Sequence, residues 1–253
     1  MERDNKKIAV LIDADNAQAS VLESILNEVS LMGDATVKRI YGDFTNQQSS
    51  CWKSILQKNA IKPVQQFAYT TGKNATDGTL IIDAMDLLYT QRFDAFCLVS
   101  SDSDFTGLAL RIRESGLDVV GFGELKTPMA FRNACNKFIN TEIYKDKQES
   151  FTSDKRPRTA VESTELIPKE EIFETLLDIA NNLSDADEEW IHLGVLGGIM
   201  TKRKPDFDAR NYGYRNLSTM MKSRPDLFEV KKGAEIGIST AAHLPYMKTK
   251  VKE

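Results

Sequence analysis

The first 145 residues alternate between short apolar runs and segments whose apolar positions recur every three to four residues. Residues 7–12 (K-I-A-V-L-I) are almost continuously apolar, the pattern of a strand covered on both faces. Val21, Leu22, Ile25, Leu26 and Val29 follow at helical spacing, with Asn16 as the expected cap and Gly33 as the stop. Further strands are expected at 35–41, 62–68, 95–99 and 119–122, with a last one within 137–144. Pro63, which has no N–H to donate, puts the third strand at an edge. Helices fall between them: a short one around Trp52, Ile55 and Leu56, longer ones at 76–89 and 105–114, and a short one opened by Thr127 and Pro128. This alternation predicts an α/β fold, a Rossmannoid parallel sheet flanked by helices.

The pattern changes after residue 145. Apolar content falls in K-D-K-Q-E-S-F-T-S-D-K-R-P-R-T, so 146–165 reads as a flexible linker between a first domain at 1–145 and a second at 166–245. The second domain offers amphipathic helices at 168–181, 191–201 and 214–223. A hairpin made of 227–231 and 236–239 follows. Three helices and a hairpin predict a small winged helix-turn-helix domain, with 246–253 left as a basic tail.

Charge adds one feature. The net charge is −4, which hides a segregation: residues 162–189 hold ten acids against Lys169, and 202–232 hold nine bases against four acids. A basic face on the second domain is therefore compatible with an acidic whole, and Lys202, Arg203, Lys204, Arg210 and Arg215 are its candidate phosphate contacts. Phe207, Tyr212, Tyr214 and Phe228 read as core. Cys51, Cys97 and Cys135 are odd in number and widely spaced, each in an apolar setting, which predicts buried thiols in a reducing compartment. The start M-E-R-D-N-K-K is too charged for a signal peptide and no run is long and apolar enough to span a bilayer, so the expected location is the cytoplasm, with no membrane partner.

The chemistry lies at strand ends. Asp13 closes the first strand, Asp102 and Asp104 close the fourth, and Asp77 stands at the front of the helix between them. A parallel sheet gathers ligands at the carboxyl ends of its strands, so these acids are expected to meet. Two carboxylates about 5 Å apart repel by roughly 3 kcal/mol at an effective dielectric of about 20. Four together call for a cation, and all-oxygen donors point to Mg2+ or Mn2+ and to phosphodiester hydrolysis. Asp104 has a competing role as cap of the helix at 105–114, and Asn16 as cap of the first helix or as a group orienting water or phosphate. Asp83 lies six residues beyond Asp77, turned away by about 240° on a helix, which suits a supporting role. Ser100 and Ser101 position a phosphate or satisfy the turn, and Lys73 is a further candidate contact to RNA phosphate. The turn after the first strand, D-A-D-N-A-Q, has no glycine and two acids, which excludes a dinucleotide site.

The strand followed by D-A-D-N at 13–16, K-N-A-T-D-G-T-L-I-I-D at 73–83 and V-S-S-D-S-D-F at 99–105, in that order, resemble the NYN domain family, the LabA-like members of the PIN-like nuclease fold. The resemblance covers about residues 5–145 and implies a metal-dependent ribonuclease site at Asp13, Asp77, Asp102 and Asp104, supported by Asn16 and Asp83. The run L-G-V-L-G-G-I-M-T-K-R-K-P-D-F-D-A-R-N-Y-G-Y-R-N-L, continuing to P-D-L-F-E-V, is similar to an OST-HTH, or LOTUS, domain. That resemblance implies a winged helix that binds RNA or docks a protein partner. The expectation is a metal-dependent endoribonuclease with an RNA-binding module. The alternative is an RNA-binding regulatory or adaptor protein whose acidic site is weak or idle.

Overall fold

Strand β1 (Lys7–Asp13) is buried from Ile8 to Asp13, as a run with no polar face requires. The computed structural model describes residues 5–45, 50–67, 75–145, 169–183 and 190–250. Two compact units result, Met1–Ser153 and Asp154–Glu253. The linker expected at 146–165 and Lys73 lie outside the described residues, as do the last three positions of the expected tail.

In the first unit β1 is followed by α1 (Leu22–Ser30), β2 (Asp34–Gly42), α2 (Ser50–Asn59), β3 (Lys62–Gln65), α3 (Ala75–Tyr89) and β4 (Ala95–Val99). Then come α4 (Thr106–Glu114), β5 (Asp118–Gly123), α5 (Met129–Ala134) and β6 (Lys137–Asn140). The six strands lie in the order β3-β2-β1-β4-β5-β6, with every pairing parallel. Pro63 sits on the edge strand, where its missing N–H leaves no ladder bond unmade.

Successive residues of a strand point to opposite faces, so β1 feeds two cores. Ala9 and Leu11 join Phe96, Leu98 and residues of α3 to α5 such as Leu80, Ile112 and Phe131. Ile8, Val10 and Ile12 join Cys97, Val99 and residues of α1 and α2 such as Leu22, Ile25 and Trp52. A Cβ at Gly33 would lie 2.3 Å from the carbonyl oxygen of Lys6, so glycine is what lets β2 start against β1. Cys97 and Cys135 are buried, and burial pushes both thiols above the ordinary range. Cys51 is exposed on α2, against expectation, because the buried stripe of that helix runs through Trp52 and Leu56 instead.

The second unit consists of α6 (Lys169–Leu183), β7 (Ile191–His192), α7 (Leu193–Arg203), α8 (Leu217–Lys222), β8 (Phe228–Lys232) and β9 (Pro245–Thr249). Phe173, Leu176, Leu196, Met200, Tyr212, Phe228 and Met247 fill its core. Asn216 caps α8 by accepting from the N–H of Thr219 at 2.9 Å. The hairpin differs from expectation: the partner of β8 is β9, not 236–239, and the antiparallel sheet runs β7-β9-β8. Residues Gly233–Ile236 form a 3-10 turn and Gly237 has φ +81°, a left-handed conformation that ends any extension there. Strand β9 also crosses the boundary expected at 245, so residues 246–249 are sheet rather than tail. Among the described residues, no helix is long and apolar enough to cross a membrane.

Candidate metal centre

Parallel strands deliver their last residues to one rim, and β1 and β4 are hydrogen-bonded neighbours whose pairing ends at Ile12 and Val99. Asp13 follows on one strand and Ser100 on the other. The Ser100 hydroxyl donates to Asp13 Oδ2 at 2.7 Å and accepts from the N–H of Asp102 at 3.0 Å, so a single side chain fixes the two strand ends together. Asp102 is extended and caps the 3-10 turn Ser103–Phe105 by accepting from the N–H of Asp104 at 2.9 Å. Asp102 thus caps the turn that leads into α4, and the N-cap of α4 itself is Phe105, not Asp104. A Cβ at Gly123 would lie 2.5 Å from the Ser100 carbonyl oxygen, so the end of β5 presses on this turn from the other side.

From the first turn of α3, Asp77 completes the group: Asp77, Asp102 and Asp104 each offer a carboxylate oxygen, all within 4.8 Å of one another. Burial, then the charges of Asp13, Asp102, Asp104 and Asp15, push Asp77 up to about 6. Asp13 is fully buried, and burial raises its carboxyl above the ordinary range against the opposing pull of its hydrogen bonds. Its Oδ1 accepts from the N–H of Asp15 at 3.0 Å, and its Oδ2 accepts from Ser100 and from the amide of Asn16 at 2.8 Å. Asn16 therefore holds Asp13 and does not cap a helix. The chain reaches α1 at Leu22, six residues later, through a 3-10 turn, Ala19–Val21, whose N-cap Gln18 makes no side-chain cap bond.

A buried, a half-buried and an exposed acid (Asp77, Asp102 and Asp104) converging on one point fit a hard divalent ion. Asp13 stands behind them as a buried carboxyl group with both oxygens already engaged by donors. Its oxygens are not in the group of three, so its direct coordination remains a proposal of the family resemblance rather than of this geometry.

Asp83 takes a different part. It accepts from the Arg39 guanidinium, with which it is ion-paired, and from the Tyr41 hydroxyl. Tyr41 is the β2 partner of Asp13, so the clamp ties α3 to β2 beside the site and fixes the helix that carries Asp77. Sequence reading missed Arg39 and Tyr41, because nothing in β2 marks them as partners of a helix more than forty residues on. Ser101 accepts from the N–H of Glu124 at 2.9 Å. Glu124, a further acid at this rim, is neutralised by Lys126 at 2.7 Å and Lys145 at 3.6 Å.

Ser100→Ala is expected to lower stability by about 1–3 kcal/mol, the range for leaving a buried polar group short of a partner, and to loosen Asp102 at the same time. Urea unfolding near neutral pH measures the first. Retained wild-type stability would mean that Asp13 finds another donor.

The expected basic contacts in the second unit divide into two kinds. Arg203 pairs with Asp178 at 2.6 Å, Lys204 with Glu171 at 2.6 Å and Arg210 with Asp208 at 2.6 Å. Lys202 and Arg215 are exposed and form no ion pair among the described residues. The acids that answer the bases belong largely to α6, which the charge segregation of the sequence had set apart from them.

The sequence matches the NYN domain family over residues 7–142. The chain belongs to the NYN domain family. A second match, over residues 167–239, is to the OST-HTH/LOTUS domain. Both families expected from the motifs are thus found in the expected order, and the fold is the expected α/β, PIN-like sheet followed by a small helical and sheet domain. No curated protein matches the chain. Among solved structures, a protein of unknown function from Vibrio parahaemolyticus is similar at 18% identity and a TM-score of 0.46, covering 55% of this NYN chain and 94% of the other. An uncharacterized protein of Nitrosomonas europaea is similar at 28% identity and a TM-score of 0.28, covering 40% of this chain and 93% of the other.

Proposed function

We propose that this NYN protein is a metal-dependent endoribonuclease that hydrolyses RNA phosphodiester bonds, and that its OST-HTH/LOTUS unit holds the RNA. One observation carries the reading: Asp77, Asp102 and Asp104 bring carboxylate oxygens within 4.8 Å at the carboxyl rim of a parallel sheet. Membership of a PIN-like nuclease superfamily and the adjoining OST-HTH/LOTUS domain support it.

Asp77, Asp102 and Asp104 would hold Mg2+ or Mn2+, with the buried Asp13 carboxyl behind them. Such an ion, when bound, polarises a phosphoryl oxygen and lowers the pKa of its water. The chain's own contribution is positioning. Ser100 and Asn16 orient Asp13, Asp102 orders the turn that presents Asp104, and Arg39 and Tyr41 hold α3 through Asp83. Asp77 has a raised affinity for a proton. It can carry one at its carboxyl near pH 6 when the site is metal-free, and must release it for the site to fill.

The test is cleavage of single-stranded and structured RNA by EDTA-treated protein, with Mg2+ or Mn2+ restored. The expected result is cleavage that returns with the cation. Undiminished cleavage in EDTA would end the reading. RNA affinity without cleavage at any cation concentration would replace it with the regulatory alternative.

A further inference from the structure

The three-stranded sheet of the second unit has one face on the core and one turned away from it. Phe228 and Met247 are buried and Val230 packs against them, while Glu229, Lys231, Tyr246 and Lys248 alternate to the opposite side. Register places Lys231 and His192 on either side of Tyr246, and Glu229 opposite Lys248. Ile191 is buried, so Trp190 and His192 flank it on the outer face. Contacts agree with this placement. The ammonium groups of Lys231 and Lys248 lie 5.3 and 5.2 Å from the centroid of the Trp190 ring, and His192 meets Tyr246 edge-to-face at 5.2 Å.

Three rings and two lysines therefore share a small outer face on which, among the described residues, Glu229 bridges the lysines at 2.7 and 3.8 Å. The unit needs none of these rings for its core, which is complete without them. Among the described residues, the exposed large hydrophobic side chain of this unit is Val195, which lies on α7 and not on the sheet. Flat rings for bases and ammonium groups for phosphates are the pairing used by surfaces that bind single-stranded nucleic acid.

We propose that the outer face of the β7-β9-β8 sheet is a docking surface for single-stranded RNA, with Trp190 as the stacking platform and Lys231 and Lys248 as its phosphate contacts. The inference rests on the RNA-binding reading of this unit and assigns it a surface other than the α7 cations Lys202, Arg203 and Lys204. The Lys231 side chain is 41% exposed and that of Lys248 24%, so a base stacking on Trp190 displaces Lys231 first, and that lysine turns to the neighbouring phosphate. Tyr246 and His192 extend the platform along the sheet.

The experiment uses the full chain in EDTA, with a fluorescein-labelled oligoadenylate followed by anisotropy and an unlabelled one followed by tryptophan emission. The chain has two tryptophans, and Trp52 is 5% exposed in the first unit's core, so quenching by RNA reports Trp190. The expected result is quenching in the wild type that vanishes in Trp190→Phe, whose affinity stays close to wild type because a ring remains. Trp190→Ala is expected to weaken binding by about 5- to 150-fold. Lys231→Gln with Lys248→Gln is expected to flatten the salt dependence by about 0.7 in log–log slope per lost phosphate contact. RNA binding without quenching, or with wild-type affinity in a folded Trp190→Ala, overturns the proposal and leaves the RNA-binding reading standing. If Trp190→Ala does not fold, the wild-type quench and the double lysine variant decide. A wild type that binds no oligoadenylate overturns the proposal, and failure on structured RNA as well removes the broader reading with it.

Discussion

Asp102→Asn is expected to lower RNA cleavage by about a thousandfold, equivalent to about 4 kcal/mol of transition-state stabilisation, while RNA affinity stays within about twofold. The substitution isolates charge from structure. The asparagine carbonyl oxygen can still accept from the Asp104 N–H and keep the 3-10 turn capped, so the turn survives while a charged oxygen leaves the group of three. In cation-free protein the same change relieves repulsion on Asp77, so the variant is expected to melt above the wild type in EDTA at pH 8. In Mg2+ the order should reverse. Single-turnover cleavage, RNA binding in EDTA and paired melts check the three parts. Unchanged cleavage would remove the carboxylate group from the chemistry.

The second large effect is on stability. In the cation-free fold Asp77 keeps its proton up to about pH 6, against 3.8 as the ordinary value. An acid with a raised folded-state pKa favours folding fully below its unfolded value, and that contribution disappears as pH rises through the folded value. From pH 4 to 7 the empty protein is therefore expected to lose stability from this group. A divalent ion reverses the trend because it binds the deprotonated form. At pH 8 and a cation concentration of about 100 times its Kd, the gain is about 2.7 kcal/mol. At pH 5 a proton must leave first, which weakens binding about tenfold and halves the gain to about 1.4 kcal/mol at the same concentration. Melting curves with and without Mn2+ at the two pH values measure this. Equal shifts at both would show that Asp77 is not part of the binding group.

How much of this was legible depends on which contacts are local. Buried parallel strands announce themselves: the run at 95–99 is apolar throughout because both its faces are covered, and β4 has those bounds. The return strand of the second unit gave a weak signal, since P-Y-M-K-T carries one buried residue, Met247, among half-exposed neighbours. Ile236 and Ile238 looked more strand-like, yet a left-handed Gly237 separates them. The acids could be gathered from topology alone because strand ends of a parallel sheet share a rim. Their relative parts could not. Asn16 has the chemistry of a cap and of a carboxylate ligand alike, and only the position of Asp13 Oδ2 at 2.8 Å selects between them. The pairing of bases on α7 with acids on α6 was equally hidden, because it joins residues 25 and 33 positions apart across a helix–helix packing.

Those ion pairs give the acidic helix a consequence beyond its own fold. Asp178 and Glu171 act as counterions tethered to the protein, already seated on Arg203 and Lys204. An incoming polyanion would have to evict them, so these two cations offer it only the difference between one carboxylate and one phosphate. Release of bulk ions, the usual entropic reward of such binding, is largely forfeited there. Neutralising the two acids should turn a silent stretch of α7 into an adhesive one.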